Sequence, residues 1–498
     1  MIKDLRNTFK QTAIYGISNV LVKATGLILL PIYTSSLTIS DYGMLVLIEV
    51  ITQFFVDVIS VNLPGAMLRL GADTKDKKRQ NVFYSTALIM LVAIGIVFLA
   101  IFLPLSGLFS QAFFDSDAYA IYFVIVFISV VLEILGLMPM QLLRLREESG
   151  KYVFFFGLKL VALIGFIWYL VSVKEMGVYG AIIGALLANI TLLLATSVYQ
   201  FNNLVFKFDK VAAREMFHFG APLIFVSIAA ILITISDRII INIYGQLADV
   251  GIYTLAYKVG SVSNLLIIGS FTLGFLPIVF KKFGEPNFNR FFSKMLTYFI
   301  GLTIVLTLVI SLFSKEAIKL ISSDNPDFWM AVILVPFIAY IFLFKALQSY
   351  LSYVFLFIKR TKYNASITVF GVIINIGLNF LLIPRIGIYG AITATGVSYI
   401  LMGIYTYYLA QKHYPISYEF KRISLLMIGC AVFIAVGIYF NDLSLLARVL
   451  IKTGLVIGFG AFVFYAVADM VEREKARKIW GLVRSGKLKQ LLTEWKSS

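Results

Sequence analysis

Cysteine, histidine and charge are all scarce in this chain. Its one cysteine, Cys430, leaves no disulfide framework and no thiolate metal site in 498 residues. Its two histidines, His218 and His413, are too few for an imidazole cluster, so no metal site is expected. Charged residues make up 14% of the sequence against 60% hydrophobic, and mean hydropathy is +0.92. A water-soluble chain of this length needs far more polar surface, so most of it is solvated by lipid. There is no GxxxxGK[ST] phosphate loop and no HExxH, and the loops are too short for an ATPase domain or a hydrolytic triad. Those absences exclude a nucleotide-driven machine and point away from an enzyme; no cofactor is expected.

What the chain has is long, continuously apolar runs. Barrel strands would alternate in polarity, whereas these runs do not. At ~20 residues per crossing of a ~30 Å hydrocarbon core, they make about fourteen transmembrane helices, the first near 12–37 and the eighth near 249–276. The basic, polar N-terminus precedes a first run without a small-residue cleavage site, which reads as a retained helix. Net charge is +17, but its distribution excludes nucleic acid as the partner. With the N-terminus inside, the inner segments hold 32 Lys and Arg, while the outer loops hold 4: Lys174, Lys315, Lys319 and Arg385. That alternation is the positive-inside pattern, and it puts both termini in the cytoplasm. The tail 470–498 is basic and amphipathic, with Ile479, Trp480 and Val483 in one apolar patch and Leu488, Leu491, Leu492 and Trp495 in another. It reads as an interfacial anchor.

The sequence also repeats itself. GVYGA from Gly177 returns as GIYGA from Gly387, Lys151-Tyr152 as Lys362-Tyr363, and Asp41-Tyr42-Gly43 loosely as Asp249-Val250-Gly251. The common offset spans six helices and preserves orientation, so the repeats are parallel. The expected fold is all-α: two pseudo-twofold six-helix lobes, 1–200 and 201–411, around a central cavity. Helices 13 and 14 (412–469) and the tail complete it. The glycine motifs themselves read as small-xxx-small packing positions.

Ionisable residues interrupt the apolar runs of the first twelve helices. They are Lys23, Lys159, Arg238, Lys258 and Lys345, with Glu49, Asp57, Glu133 and Asp237. A charge at a helix centre costs ~2.5–3.5 kcal/mol even on the lenient insertion scale, so such residues pair, reach the interface or line a wet cavity. Structural ion pairing competes with cavity lining for each of them, and snorkelling competes for Lys159 and Arg238. Asp237 and Arg238 are neighbours and project about 100° apart, so Asp237 is expected to find its partner on helix 1, 2 or 8.

The stretch SDRIIINIY…VGIYTLAYKV (236–259), the two GxYGA motifs and ISDYG (39–43) resemble the polysaccharide-biosynthesis flippases. These are the Wzx type of the multidrug/oligosaccharidyl-lipid/polysaccharide exporter superfamily, and the likeness runs along essentially the whole chain. The resemblance implies a bacterial inner-membrane protein that turns an undecaprenyl-pyrophosphate-linked oligosaccharide from the cytoplasmic to the outer leaflet by alternating access. Polysaccharide polymerase machinery is the partner it suggests. In that setting Lys23, Arg238, Lys258, Lys345 and Lys159 are candidate cavity cations for the pyrophosphate. Asp57, Glu133, Asp237 and Glu49 are candidates for ion coupling or gating, and Tyr253 and Tyr257 for stacking on sugar rings. A drug or cation antiporter of the same superfamily predicts about twelve helices and an acidic cavity. A polymerase or ligase predicts a large outer loop with catalytic residues. Flipping of a peptidoglycan precursor shares the same cavity logic.

Overall fold

A computed structural model describes residues 25–323, 325–467 and 472–474. Among these, every regular element is a helix. The first half contains α1 (Leu30–Ser36), α2 (Ile39–Ile59), α3 (Leu63–Ala72), α4 (Lys77–Phe102), α5 (Ser106–Phe114), α6 (Ala120–Leu145), α7 (Ser149–Ile167) and α8 (Gly177–Asn203). The second contains α9 (Lys210–Tyr244), α10 (Leu247–Gly260), α11 (Gly269–Lys282), α12 (Phe288–Leu312), α13 (Ser314–Ile321), α14 (Ala331–Ser352), α15 (Val354–Phe357), α16 (Lys362–Ile386) and α17 (Ile388–His413). Then come α18 (Phe420–Tyr439) and α19 (Leu445–Phe462).

Among the described residues, 12 helices are long and apolar enough to cross a membrane. The expected first crossing begins outside the described residues, and only its end is seen, as α1. The expected eighth is broken: α10 stops at Gly260, a π-helical turn covers Asn264–Ile268, and α11 follows. The break falls in GSVSN (260–264), where Ser and Asn offer the backbone competing hydrogen bonds. Ser261 Oγ donates to the Lys258 carbonyl there.

Element order repeats as the sequence motifs do. The helix starts Ile39 and Leu247, Lys77 and Phe288, Ser106 and Ser314, Ala120 and Ala331, Ser149 and Lys362, and Gly177 and Ile388 are each 208 to 213 residues apart. Pairings repeat as well: α8 packs on α6 and α7, and α17 packs on α14 and α16. The GxYGA glycines mark the same joint twice. A Cβ at Gly180 would come within 2.9 Å of the Leu170 carbonyl oxygen, and one at Gly390 within 2.6 Å of the Leu382 carbonyl carbon. In lipid, where burial gives helices no extra drive to associate, such close backbone approach is what holds a hairpin together.

By their contacts the helices form two compact units. One comprises Met1–Phe283 and Ser314–Pro415, the other Gly284–Phe313 and Ile416–Ser498. In the second, α12 packs along α18, and Phe433, Phe459 and Phe462 interlock between α18 and α19.

Candidate functional site

The site is built where α2 meets α10. Both helices start with a reciprocal cap. Thr38 Oγ1 accepts from the Asp41 amide while the Asp41 carboxylate accepts from the Thr38 amide, and Gln246 and Asp249 make the same arrangement. Two residues past each capping Asp stands a glycine, Gly43 or Gly251. A Cβ on Gly43 would collide with the Leu247 carbonyl oxygen; one on Gly251 would lie 2.5 Å from the Ile39 carbonyl oxygen. The two backbones therefore touch in reciprocal fashion, and only glycine permits it. Around this crossing, residues 42–48 and 250–256 are buried on every face. Beyond it α2 opens, and Glu49, Gln53 and Asp57, four residues apart, form one exposed to half-buried polar stripe.

Lys258 of α10 reaches this stripe. Its Nζ lies 3.5 Å from Glu49 Oε2, with the lysine side chain 22% and the glutamate 44% exposed. The same ammonium sits 5.6 Å from the centroid of the Tyr42 ring. One ion pair thus joins the first repeat to the second at the point where burial gives way to exposure. Further along the stripe, Gln53 Nε2 donates to Asp57 Oδ2 at 3.1 Å. Lys159 pairs with Glu133 at 3.5 Å, within the first repeat.

Behind Lys258 runs a line of cations and rings. Arg238 is 5% exposed and Asp237 2%. Arg238 Nη1 lies 2.8 Å from Asp237 Oδ1, and its guanidinium stacks 4.4 Å from the centroid of Tyr257 and 5.2 Å from that of Tyr253. Tyr253 donates its hydroxyl to Asp237 Oδ2. Tyr257 abuts Phe342, and Lys345 Nζ sits 5.2 Å from the Phe342 centroid and 5.5 Å from that of Tyr399. Desolvated cation–π contacts of this kind are worth up to ~2 kcal/mol each. Ser236 Oγ, next in the chain, donates to Asn375 Oδ1 at 3.1 Å, and Asn379 Nδ2 donates to the same oxygen at 3.1 Å.

The sequence profile of the family described as "Polysaccharide biosynthesis protein" matches residues 8–283, more than half of the chain. The chain belongs to that family. No curated protein matches it. Among solved structures, the lipid II flippase MurJ in an inward closed conformation superposes with a TM-score of 0.69 at 15% identity, over 93% of this chain and 99% of that one. An inward-facing multidrug-resistance MATE transporter of the MOP superfamily gives 0.64 at 14% identity, over 82% and 98%. A MOP superfamily transporter from Pyrococcus furiosus, titled for the reverse polarity of its binding pocket, gives 0.57 at 15% identity, over 84% and 96%. The fold is that of the MOP transporters.

In this member of the polysaccharide biosynthesis family, the structure sorts the candidate residues and corrects some expectations. Lys258, Glu49 and Asp57 share one exposed region. Arg238 does not reach it, because Asp237 and two tyrosine rings enclose its guanidinium. Asp237 does find a partner on the eighth crossing, Tyr253, but it also pairs with Arg238. The guanidinium stem is long enough to bend back across the angle that separates adjacent residues. Tyr253 is 1% exposed, with its hydroxyl on Asp237, and offers no free ring face to a sugar. Tyr257 is half-buried between Arg238 and Phe342. Lys23 lies outside the described residues. Sequence reasoning missed Arg448 and Lys452 of α19, which are 7% and 0% exposed and lie beyond the first twelve crossings. It also missed Tyr42, Phe342 and Tyr399 as cation partners, for which no sequence signal exists.

Proposed function

We propose that this chain is a bacterial inner-membrane flippase that carries an undecaprenyl-pyrophosphate-linked oligosaccharide from the cytoplasmic to the outer leaflet by alternating access. The observation that carries the reading is the Lys258–Glu49 pair, which links the two repeats where the sealed crossing opens onto a polar face. The lobes are 1–200 and 201–411, with both termini cytoplasmic. The loop charge bias then turns the starts of α2 and α10 to the outer face. The glycine crossing is the outer seal, and the Glu49–Gln53–Asp57 stripe faces the cytoplasmic vestibule.

In this scheme the pyrophosphate competes with Glu49 for Lys258. The Lys258 side chain is 22% exposed and already faces one oxyanion, so substrate exchanges one anionic partner for another. Lys345 supplies further positive charge. Arg238 is the buried counter-ion that fixes Asp237 and the two tyrosines. Glu49, released as substrate arrives, and Asp57, which has no cation partner among the described residues, are the acids that take up a coupling ion. Glu133, engaged by Lys159, is a structural acid.

A second reading has support in the same stripe. Two carboxylates on an exposed intramembrane face suit a cationic substrate, as in a drug or cation antiporter. The two readings separate in cells lacking the chromosomal copy. Lys258→Ala and Lys345→Ala, expressed at the normal level, should abolish surface polysaccharide and leave lipid-linked sugar in the cytoplasmic leaflet. Normal export by both variants would refute the flippase reading.

A further inference from the structure

We infer that the unit built from α12, α18 and α19 holds an anionic phospholipid of the leaflet facing the start of α12, with its phosphate on Arg290 and Lys294 and one acyl chain in the cleft beyond. This site shares no residue with the α2–α10 site and does not rest on the flippase reading.

Arg290, Lys294, Tyr298, Leu302 and Val305 recur every three or four residues and form one strip along α12. The strip is polar at its start and apolar at its end. Two adjoining clefts follow it. The first, of about 440 Å³, is lined by Arg290, Lys294 and Tyr298 among others. The second, of about 510 Å³, is lined mainly by apolar side chains, Leu302 and Val305 of α12, Leu426 of α18, and Val463 and Phe464 after α19, with Tyr298 and the Arg422–Glu472 ion pair also on its wall. Tyr298 lines both, so the two form one elongated site. Gly301 and Gly460 line the second cleft, and a Cβ on either would meet nothing within 4 Å. The missing side chains are what leave the cleft open.

Dimension and charge select the occupant. From Arg290 to Val305 the helix rises about 22 Å at 1.5 Å per residue. That is one leaflet of a bilayer ~40–45 Å thick with its headgroups. The two cations stand at the headgroup end, where an Arg fork and a mobile Lys suit phosphate oxygens. Arg290 is exposed and has no ion pair among the described residues. Two carboxylates on this unit are engaged elsewhere: Glu419 and Glu472 are both held by Arg422, with Thr297 donating to Glu419 and Tyr298 to Glu472. A zwitterionic lipid would bring its own cation against Arg290 and Lys294.

The test is native mass spectrometry of the full chain, purified in mild detergent or reconstituted in nanodiscs of phosphatidylcholine with or without phosphatidylglycerol. The wild type should retain one phosphatidylglycerol per chain, at least tenfold in preference to phosphatidylcholine. Arg290→Ala with Lys294→Ala should lose it at least tenfold, while Arg290→Lys with Lys294→Arg should keep it. Gly460→Leu should lower retention with both cations intact, by filling the chain cleft. Lys359→Ala with Lys412→Ala, basic positions elsewhere, should change nothing. Equal retention of both lipids by the wild type, or no retained lipid at all, would overturn the proposal and needs no variant to fold. Unchanged retention in the Arg290→Ala, Lys294→Ala chain would do the same.

Discussion

Gly43 and Gly251 cross at backbone contact, each occupying the space that the other helix would deny to any side chain. They hold equivalent positions in the two repeats, two residues past a capping Asp, so one contact is made twice. Its consequence is a sealed end formed by α2 and α10, followed by a polar face.

Gly43→Ala and Gly251→Ala should each destabilise the protein by about 1–3 kcal/mol, the usual cost of overpacking a close contact. Thermal unfolding in detergent checks this. Gly157→Ala and Gly165→Ala, where a Cβ meets nothing within 4 Å, should leave the melting temperature unchanged.

The Lys258–Glu49 pair separates a structural role from a ligand-binding one. If it serves only to join the repeats, the exchanged pair Glu49→Lys with Lys258→Glu should restore export. If Lys258 meets an anionic substrate, the exchanged pair should stay at least tenfold impaired although the protein level recovers. We expect the second outcome. Export and membrane abundance, measured together, decide it.

Arg238→Ala should behave differently, because it strands Asp237 at 2% exposure. Breaking a buried pair by removing one partner costs about 3–5 kcal/mol, so protein abundance should fall sharply. Replacing both, Asp237→Asn with Arg238→Met, should recover much of that abundance. A full-level Arg238→Ala protein without export would instead make Arg238 a ligand contact.

Asp209 caps α9 and ties the linker between the repeats to α4. Its Oδ1 accepts from the amides of Val211 and Ala212, its Oδ2 lies 3.0 Å from Arg79, and its own amide donates to Thr86. The Ala212 amide first, then that of Val211 and the Arg79 guanidinium, hold its carboxyl below the usual range. A carboxyl depressed in the folded state contributes stability above its unfolded value near 3.9. That contribution disappears as pH falls through the lower folded value. Asp209→Ala should cost about 0.5–2 kcal/mol at neutral pH, as for other N-caps. The difference from wild type should shrink toward zero in acid, as read by chemical unfolding across pH.

Much of the architecture was legible in the residues alone. Continuous apolar runs of ~20 residues mark helices long enough to cross a membrane, and the described residues form such helices. The GxYGA and Asp-x-Gly recurrences revealed the repeat because backbone contact tolerates only the smallest residues, which leaves a mark on the sequence. The pairing of charges left no such mark. Apolar helices in lipid are hydrophobic all round, so periodicity does not tell which face turns inward or which partner it meets. Glu49 and Lys258 read as two isolated charges, and Asp237 and Arg238 as neighbours pointing apart. Only the tertiary structure brought the first pair together across the repeats and folded the second back on itself between Tyr253 and Tyr257. Local chemistry determines what a segment is; the rotation and neighbours of each helix, set by packing of the whole bundle, decide what its charges do.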